Sequence, residues 1–252
     1  MRPDFSIIRF LLNGQDVVVF IKHIDIEGPD TFGEYFSRRG FDVQVIDLHD
    51  RGVLPRDLKR VEAVISLGGP MNVYEEEKFP FLREENSFVE KIISEKVPFM
   101  GVCLGSQSLA KACGARVGRS PEKEIGFSEV RLSQDGRSDI LFEGLDETLN
   151  VFQWHEDMVE LPGGATLLAA SPQCPHQAFK VGPCAYGLQF HVEVTEPTIE
   201  QWIQAYFAQD DDAQVRKGRQ ILADYRRSKE TFDHMAGRLY GNFMKIMLER
   251  GN

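Results

Sequence analysis

The first half of the chain alternates between apolar runs of strand length and segments with helical spacing. Helical patterns span 30–39 and 80–93, with Gly40 and Pro80 at their boundaries. Unbroken apolar runs are typical of parallel strands covered on both faces. The alternation therefore predicts an α/β domain with an open, mostly parallel sheet and helices on both faces. The predicted strands are four segments: 16–23, 42–48, 62–67 and 97–102.

The pattern changes after about residue 115. As far as residue 181, short β-rich runs with turn residues between them replace the alternation of strand and helix. This arrangement predicts antiparallel strands at one edge of the sheet. The runs cover 125–132, 149–154 and 166–170.

Two amphipathic stripes predict that the end of the chain is helical. Residues 199–207 and 232–247 carry apolar side chains at helical spacing, and the polar segment 209–212 separates them. Such stripes ordinarily pack on the main domain, and a face that binds a partner is the alternative. We therefore divide the chain into an N-terminal extension, an α/β domain and a C-terminal helical extension, at 1–15, 16–207 and 208–252.

Composition and charge restrict the partners. At 42% hydrophobic and 27% charged residues, the 252-residue chain has an ordinary globular composition. Its net charge of −10 disfavours nucleic acids and anionic membranes. Arg9 interrupts the apolar run 7–12, and no segment approaches the roughly 18 apolar residues of a membrane span. Four cysteines without close pairing fit a reducing compartment, so we expect a cytoplasmic protein.

One of these cysteines stands in a pattern that is typical of activated nucleophiles. Cys103 follows a predicted strand, precedes a helical segment, and has Gly101 and Gly105 two residues to either side. This is the G-x-nucleophile-x-G elbow, in which glycines allow a tight turn. A thiol at a helix N-terminus is favoured as the thiolate by the helix dipole. The alternative is an inert buried cysteine on a strand-to-helix turn.

A cysteine nucleophile needs a base and a group that orients the base. His191 and Glu193 lie two residues apart in GLQFHVE (187–193), and residues two apart in an extended segment share a face. His155 is the one serious rival among the other histidines. Its alternative role is to line the cleft without transferring a proton.

A structural zinc site has weaker support than the thiol chemistry. Cys174, His176 and Cys184 are three potential ligands within eleven residues. Zinc sites usually show closely spaced cysteine pairs and a fourth ligand at similar spacing, and this segment has neither. We therefore expect no metal and no cofactor.

Three segments together resemble the signature motifs of class I (triad-type) glutamine amidotransferases. They are SLGGPM (66–71), GVCLGSQ (101–107) and GLQFHVE (187–193), in the order of that family, and the resemblance spans about 16–207. The sequence is similar to the glutaminase domain of GMP synthases and, more closely, to free-standing amidotransferase-like proteins, a group that includes plant γ-glutamyl peptidases. Val192 departs from the usual Phe-His-Pro-Glu, which argues against the well-known biosynthetic subfamilies. Leu104 replaces the histidine that related peptidase-like families carry after the cysteine.

The resemblance implies a flavodoxin-like fold and a role for each motif residue. Cys103 would attack the γ-carboxamide carbon of glutamine, His191 would pass the proton to the departing ammonia, and Glu193 would orient His191. The backbone N–H groups of Gly69 and Leu104 would form the oxyanion hole. The substrate would be bound by Gln107 and by the backbone of three further residues: Met71, Trp154 and Glu156.

The sequence leaves three functions open. The first is a self-sufficient hydrolase that cleaves γ-glutamyl amides through a thioester on Cys103, and the second is a glutaminase subunit that supplies ammonia to a separate synthetase chain. Since only 45 residues follow 207 and no G-x-x-x-x-G-K-[ST] loop occurs, we expect no ATP-driven amination in this chain alone. The third function is a non-catalytic interaction protein on the same fold.

Overall fold

The computed structural model describes residues 17–249. The predicted N-terminal extension (1–15), its apolar run 7–12 and Asp16 lie outside the described residues, as do residues 250–252. The division of the chain into three parts therefore stays a prediction.

Nine strands form one sheet within the described residues. Their order across the sheet is β2-β1-β3-β4-β9-β8-β7-β5-β6. The strands are β1 (Val17–Lys22), β2 (Asp42–Asp47), β3 (Val61–Ser66), β4 (Phe99–Val102), β5 (Val117–Leu132), β6 (Thr148–Val159), β7 (Thr166–Ala170), β8 (Ala178–Val181) and β9 (Ala185–Leu188).

The sheet has a parallel part and an antiparallel part. Strands β2, β1, β3, β4 and β9 run parallel to their neighbours. The pairs β9–β8, β8–β7, β7–β5 and β5–β6 are antiparallel. This architecture confirms the predicted open α/β sheet with antiparallel strands at one edge.

The antiparallel strands are longer than the sequence pattern indicated. Strand β5 begins at Val117 rather than at residue 125, and β6 continues to Val159 rather than ending at 154. The added part of β5 is mostly polar, and an antiparallel pair can leave one face in water without an apolar signal. Strands β8 and β9, with four residues each, were not predicted as separate strands.

Helices cover both faces of the parallel strands. The helices are α1 (Asp30–Ser37), α2 (Phe81–Ser94), α3 (Leu104–Ala112), α4 (Gln134–Ser138), α5 (Glu196–Tyr206) and α6 (Asp212–Glu249), with a 3₁₀ turn at Ile140–Phe142. Alternate residues of β1 point to opposite faces of the sheet. Val18 and Phe20 pack with α1 and α6, whereas Val19 and Ile21 pack with α2 and α3.

The C-terminal helix α6 packs on the domain through its apolar stripe. Phe232, Leu239 and Phe243 are buried in the main core. The ring of Tyr240 stacks on Phe32 of α1 with 4.2 Å between ring centroids. The stripe 232–247 is therefore core packing. None of the described helices is both long and apolar enough to cross a membrane.

Two glycines allow the start of α3 to lie against the neighbouring strands. A Cβ at Gly105 would collide with the carbonyl group of Ser66 at the end of β3. A Cβ at Gly101 would collide with the backbone of Gly105 itself. Because these neighbours are backbone atoms, they cannot turn aside as a side chain would.

We expect Gly105→Ala to destabilise the fold by more than Gly118→Ala. Overpacking typically costs about 1–3 kcal/mol and costs more where backbone must shift. A Cβ at Gly118 in β5 meets no atom within 4 Å, so this variant is the matched control. Urea denaturation of the two variants measures the difference, and equal stabilities would contradict the close approach of α3 and β3.

Candidate active site

Cys103 lies at the turn between β4 and α3, as the elbow pattern predicts. Its backbone has φ 50° and ψ −105°, a conformation that residues other than glycine rarely adopt. The Cys103 N–H donates a hydrogen bond of 2.8 Å to the carbonyl oxygen of Leu188 in β9. Strain of this kind persists where the surrounding structure fixes it, and it is concentrated at functional sites.

His191 and Glu193 lie beside this cysteine in the segment that follows β9. The His191 Nδ1–H donates to Glu193 Oε1 at 2.6 Å, and the Val192 N–H donates to the other carboxylate oxygen at 2.9 Å. Trp202 of α5 packs against the imidazole, with 4.9 Å between ring centroids. The structure thus brings Cys103, His191 and Glu193 together and buries all three side chains.

The surroundings of His191 favour its charged form. Burial alone would lower its pKa, but the Glu193 carboxylate and the adjacent Cys103 overcome burial, so the pKa of His191 is raised well above 6.5. The site therefore favours the protonated form of His191. A protonated imidazole is the form that can donate to a departing nitrogen.

His155, the rival base, is held by other partners. Its Nδ1–H donates to the carbonyl oxygen of Asp157 at 3.0 Å, and its Nε2 lies 3.2 Å from Glu124 Oε2. The side chain is buried and lines the cleft. The Nδ1–H is thus bonded away from Cys103, and Nε2 lies next to Glu124 without forming a hydrogen bond with it, so the geometry favours His191.

The backbone N–H groups of Gly69 and Leu104 are available to donate hydrogen bonds to an anion. Neither forms a hydrogen bond with another residue between 17 and 249. Leu104 is the first residue of α3, where N–H groups have no partner inside the helix. A Cβ at Gly69 would lie 2.8 Å from Leu104 Cδ2, so the two residues are neighbours across the turn.

Sequence reasoning missed a buried ion pair behind Gly69. The His23 Nδ1–H donates to the carbonyl oxygen of Gly68 at 3.0 Å, and Nε2–H donates to Glu85 Oε2 at 2.9 Å. Ser66 donates to the second oxygen of Glu85 at 2.6 Å.

This ion pair fixes the peptide group between Gly68 and Gly69. Burial opposes the charge on both partners, yet their mutual attraction raises the pKa of His23 and lowers the pKa of Glu85. The carbonyl group that His23 holds belongs to the same peptide unit as the Gly69 N–H. His23 follows β1 directly. Since α/β proteins bind ligands at the carboxyl ends of their parallel strands, this position is a sequence signal that could have identified His23.

One glutamine side chain and one carbonyl group lie next to the thiol. Gln189 Nε2 lies 3.7 Å from Cys103 Sγ, and the carbonyl oxygen of Trp154 lies 3.8 Å from it. The predicted substrate residue Gln107 donates weakly to Gln189 Oε1 at 3.4 Å. Sequence reasoning did not select Gln189, although it lies inside the motif of His191.

Most predicted site residues line one cleft of about 530 Å³. Two predicted residues are not part of the lining: Glu193, which is bonded to His191, and Leu104, whose side chain is next to Gly69. The Glu156 side chain pairs with Arg119 and Lys123 at the rim, so its backbone is the part left for a substrate. The predicted residues in the lining are Gly69, Met71, Cys103, Gln107, Trp154, Glu156 and His191.

The described chain contains no group of three or more His, Cys, Asp or Glu residues that could hold a metal ion. Burial raises the pKa of Cys174 to about 11, which disfavours the thiolate that zinc requires. The Cys184 thiol donates to the carbonyl oxygen of Lys96.

Comparison with known proteins gives matches along most of the chain. The family model of class-I glutamine amidotransferases matches residues 32–208. The glutamine amidotransferase-like protein YfeJ of Salmonella typhimurium is 31% identical over 212 residues, covering 83% of this chain and 89% of YfeJ. A glutamine-hydrolyzing GMP synthase of Staphylococcus saprophyticus is 35% identical over 152 residues, 59% of this chain and 28% of the synthase.

Solved structures agree with these matches. The crystal structure of a glutamine amidotransferase from Thermotoga maritima superposes with a TM-score of 0.82 at 35% identity, covering 91% of this chain and 98% of that one. The cysteine elbow, the His–Glu pair and the paired backbone amides lie in the matched region. The chain therefore belongs to the class I glutamine amidotransferase family.

Proposed function

We propose that this protein hydrolyses the γ-glutamyl C–N bond of glutamine or a γ-glutamyl compound, with Cys103 as nucleophile, His191 as acid and base, and Glu193 as the residue that orients His191. One observation carries the proposal: a thiol at a strained elbow lies beside a hydrogen-bonded His–Glu pair and two free backbone amides. Each group that acyl transfer requires is present in one cleft.

The first half of the reaction forms a thioester. Cys103 Sγ attacks the γ-carbonyl carbon, and the resulting oxyanion is bound by the N–H groups of Gly69 and Leu104. One such donor is commonly worth roughly 2.7–4 kcal/mol. His191 then gives its proton to the nitrogen, the C–N bond breaks, and the amine leaves a γ-glutamyl thioester on Cys103.

The second half releases glutamate. His191, now neutral, takes a proton from water, and the water oxygen attacks the thioester carbon. The C–S bond breaks, its electron pair returns to Cys103, and the γ-carboxyl group of glutamate is complete. Glu193 keeps the imidazole in the tautomer and orientation that both halves need.

The cleft supports a substrate larger than glutamine. Its volume of about 530 Å³ lies within the range of pockets that hold drug-sized molecules. The lining also includes Gln214 and Lys217 of α6 and Phe207 after α5. These residues offer contacts for a leaving group beyond ammonia.

The ammonia-donor subunit is the second candidate function. It is supported by the similarity to glutamine-hydrolyzing GMP synthases, although the chain spans only 28% of the length of the synthase from Staphylococcus saprophyticus. In this case free glutamine is the substrate and a separate synthetase receives the ammonia. The two functions share the chemistry of Cys103 and differ in the leaving group.

Replacing the nucleophile should abolish hydrolysis. We expect Cys103→Ala and Cys103→Ser to lose turnover while the protein stays folded, since the elbow requires a small side chain. A thiol-reactive glutamine analogue should label Cys103 in the unmodified protein. Cys113→Ala, Cys174→Ala and Cys184→Ala are the matched controls and should keep most activity. Turnover in a Cys103 variant, or failure of the analogue to label Cys103, would favour the non-catalytic alternative.

The two cleft histidines should differ in kinetic signature. His191→Ala should reduce kcat by orders of magnitude, because it removes the group that moves the proton. His155→Ala should act more on KM, because His155 lines the cleft while its Nδ1–H is bonded to the backbone of Asp157 and its Nε2 lies beside Glu124. Steady-state kinetics of both variants test the assignment, and the reverse pattern would make His155 the base.

A substrate panel decides between hydrolase and ammonia donor. We expect the isolated protein to hydrolyse a γ-glutamyl amide or peptide without ATP and to prefer it to glutamine. The measurement is kcat/KM for glutamine and several γ-glutamyl compounds, alone and with cell extract. Activity that is confined to glutamine and rises many-fold with extract would establish the ammonia-donor subunit instead.

A further inference from the structure

One buried carboxylate in the cleft forms no salt bridge with any described residue, although charged His191 lies near it. Five carboxyl side chains are buried in the described chain. Four of them pair with a cation or an imidazole: Glu85 with His23, Glu124 with His155, Asp157 with Arg119 and Glu193 with His191. Glu27 alone has no such ion pair among residues 17–249. A buried carboxylate that is left unpaired is costly, and such groups are concentrated where a ligand supplies the opposite charge.

Glu27 lies beside the imidazole of His191. It belongs to the loop between β1 and α1 and lines the same cleft as Cys103. A Cβ at Gly68 would lie 2.5 Å from Glu27 Oε2 and 2.9 Å from His191 Cε1. Glu27 Oε2 and His191 Cε1 thus lie on either side of the position that a Cβ of residue 68 would occupy.

Helix α5 holds this loop in place. The Trp202 indole N–H donates to the carbonyl oxygen of Ile26 at 2.9 Å, and the same ring packs on His191. The Tyr206 hydroxyl donates to Glu27 Oε1 at 3.4 Å. One helix therefore fixes the imidazole and the carboxylate relative to each other.

The position of Glu27 matches the place where positive charge develops. When His191 donates its proton, the scissile nitrogen of the tetrahedral adduct becomes an ammonium before it departs. Because Glu193 binds Nδ1, the nitrogen left for proton transfer is Nε2, which is bonded to Cε1 in the ring, so a carboxylate near Cε1 would lie close to the substrate nitrogen that Nε2 protonates. Preorganised charge at such a point stabilises the transition state.

We propose that Glu27 is a further catalytic residue, which accepts a hydrogen bond from the departing nitrogen and makes the site selective for γ-glutamyl amides over γ-glutamyl esters. The inference rests on the proposed function. In this step the N–H bond forms with the proton from His191 and the C–N bond breaks with its electron pair on nitrogen. The carbonyl group of the thioester reforms, and Glu27 gains no covalent bond.

The titration of Glu27 is consistent with this role. Burial and the nearby Glu193 raise the pKa of Glu27 to about 7, whereas His191, His23 and the Tyr206 hydroxyl act to lower it. The carboxylate form predominates above this pKa. The preference for amides over esters should therefore grow as the pH rises through about 7 and should be lost as the pH falls.

The test compares an amide and an ester that differ only in the leaving-group atom, which is N–H in the amide and oxygen in the ester. Substrates are γ-glutamyl methylamide and glutamate γ-methyl ester, and kcat/KM is measured because it reports steps up to release of the first product. We expect Glu27→Gln to reduce kcat/KM for the amide on the order of a hundredfold, comparable to the loss of one preorganised electrostatic partner. The ester releases an alcohol without forming an ammonium, so its kcat/KM should change little.

Controls separate the proposed role from others. Glu34→Gln removes the same charge from an exposed position on α1 and should leave both substrates unaffected. Labelling of Cys103 by the glutamine analogue shows that the site of each variant is intact. If Glu27→Gln does not fold, Glu27→Asp keeps the charge but withdraws it from the nitrogen, and it should show a loss confined to the amide.

Three outcomes overturn the inference. Equal losses for amide and ester would mean that Glu27 binds the α-ammonium of the glutamyl group or merely stabilises charged His191. No loss for either substrate would remove Glu27 from catalysis. If the unmodified protein hydrolyses neither these two substrates nor glutamine nor the other γ-glutamyl compounds of the panel, the proposed function itself fails, and the inference that rests on it fails with it.

Discussion

The close approach of helix α3 to the ends of β3 and β4 is the constraint on which the site depends. Gly101 and Gly105 leave no room for a Cβ, and the chain between them turns so sharply that Cys103 adopts a positive φ. The same turn places the N–H of Leu104, the first residue of α3, next to Cys103 without a hydrogen-bond partner among the described residues. The proposed nucleophile and one proposed oxyanion donor are therefore positioned by one packing contact, and a shift of the helix would displace both together.

Two buried His–Glu pairs lie next to this turn and hold different groups in place. His191–Glu193 faces the thiol, whereas His23–Glu85 lies behind Gly68 and holds the peptide unit that carries the Gly69 N–H. Burying charge is expensive, and ion pairs of this kind often add little net stability. They do fix direction, because both ring nitrogens of His23 form hydrogen bonds and Nδ1 of His191 is bonded to Glu193. Rigid dipoles need little reorganisation during the reaction, which is an advantage where charge appears briefly.

The sequence predicted the parts of the molecule that have a periodic or motif signal. Parallel strands read as apolar runs, and Cys103, His191 and Glu193 lie inside short motifs. The polar beginning of β5 has no apolar periodicity, because one side of an antiparallel pair can face water. The position of His23 directly after β1 offered a weak signal, but the partners of His23 and Glu27, such as Glu85 and Tyr206, are distant in the chain and have no sequence signal. The residue type alone does not reveal that Glu27 forms no salt bridge among the described residues or that His23 donates to the carbonyl group of Gly68.

The docking of α6 has a consequence for the order in which the active site is completed. The Tyr240 hydroxyl donates to the carbonyl oxygen of Val192 at 2.8 Å, between His191 and Glu193. Thr31 donates to the carbonyl oxygen of Glu193 at 2.8 Å and lies 2.9 Å from the same hydroxyl. During synthesis Cys103 leaves the ribosome long before Tyr240 does. The segment that carries His191 and Glu193 therefore gains the support of α6 only after residue 240 has been made, later than the elbow of Cys103.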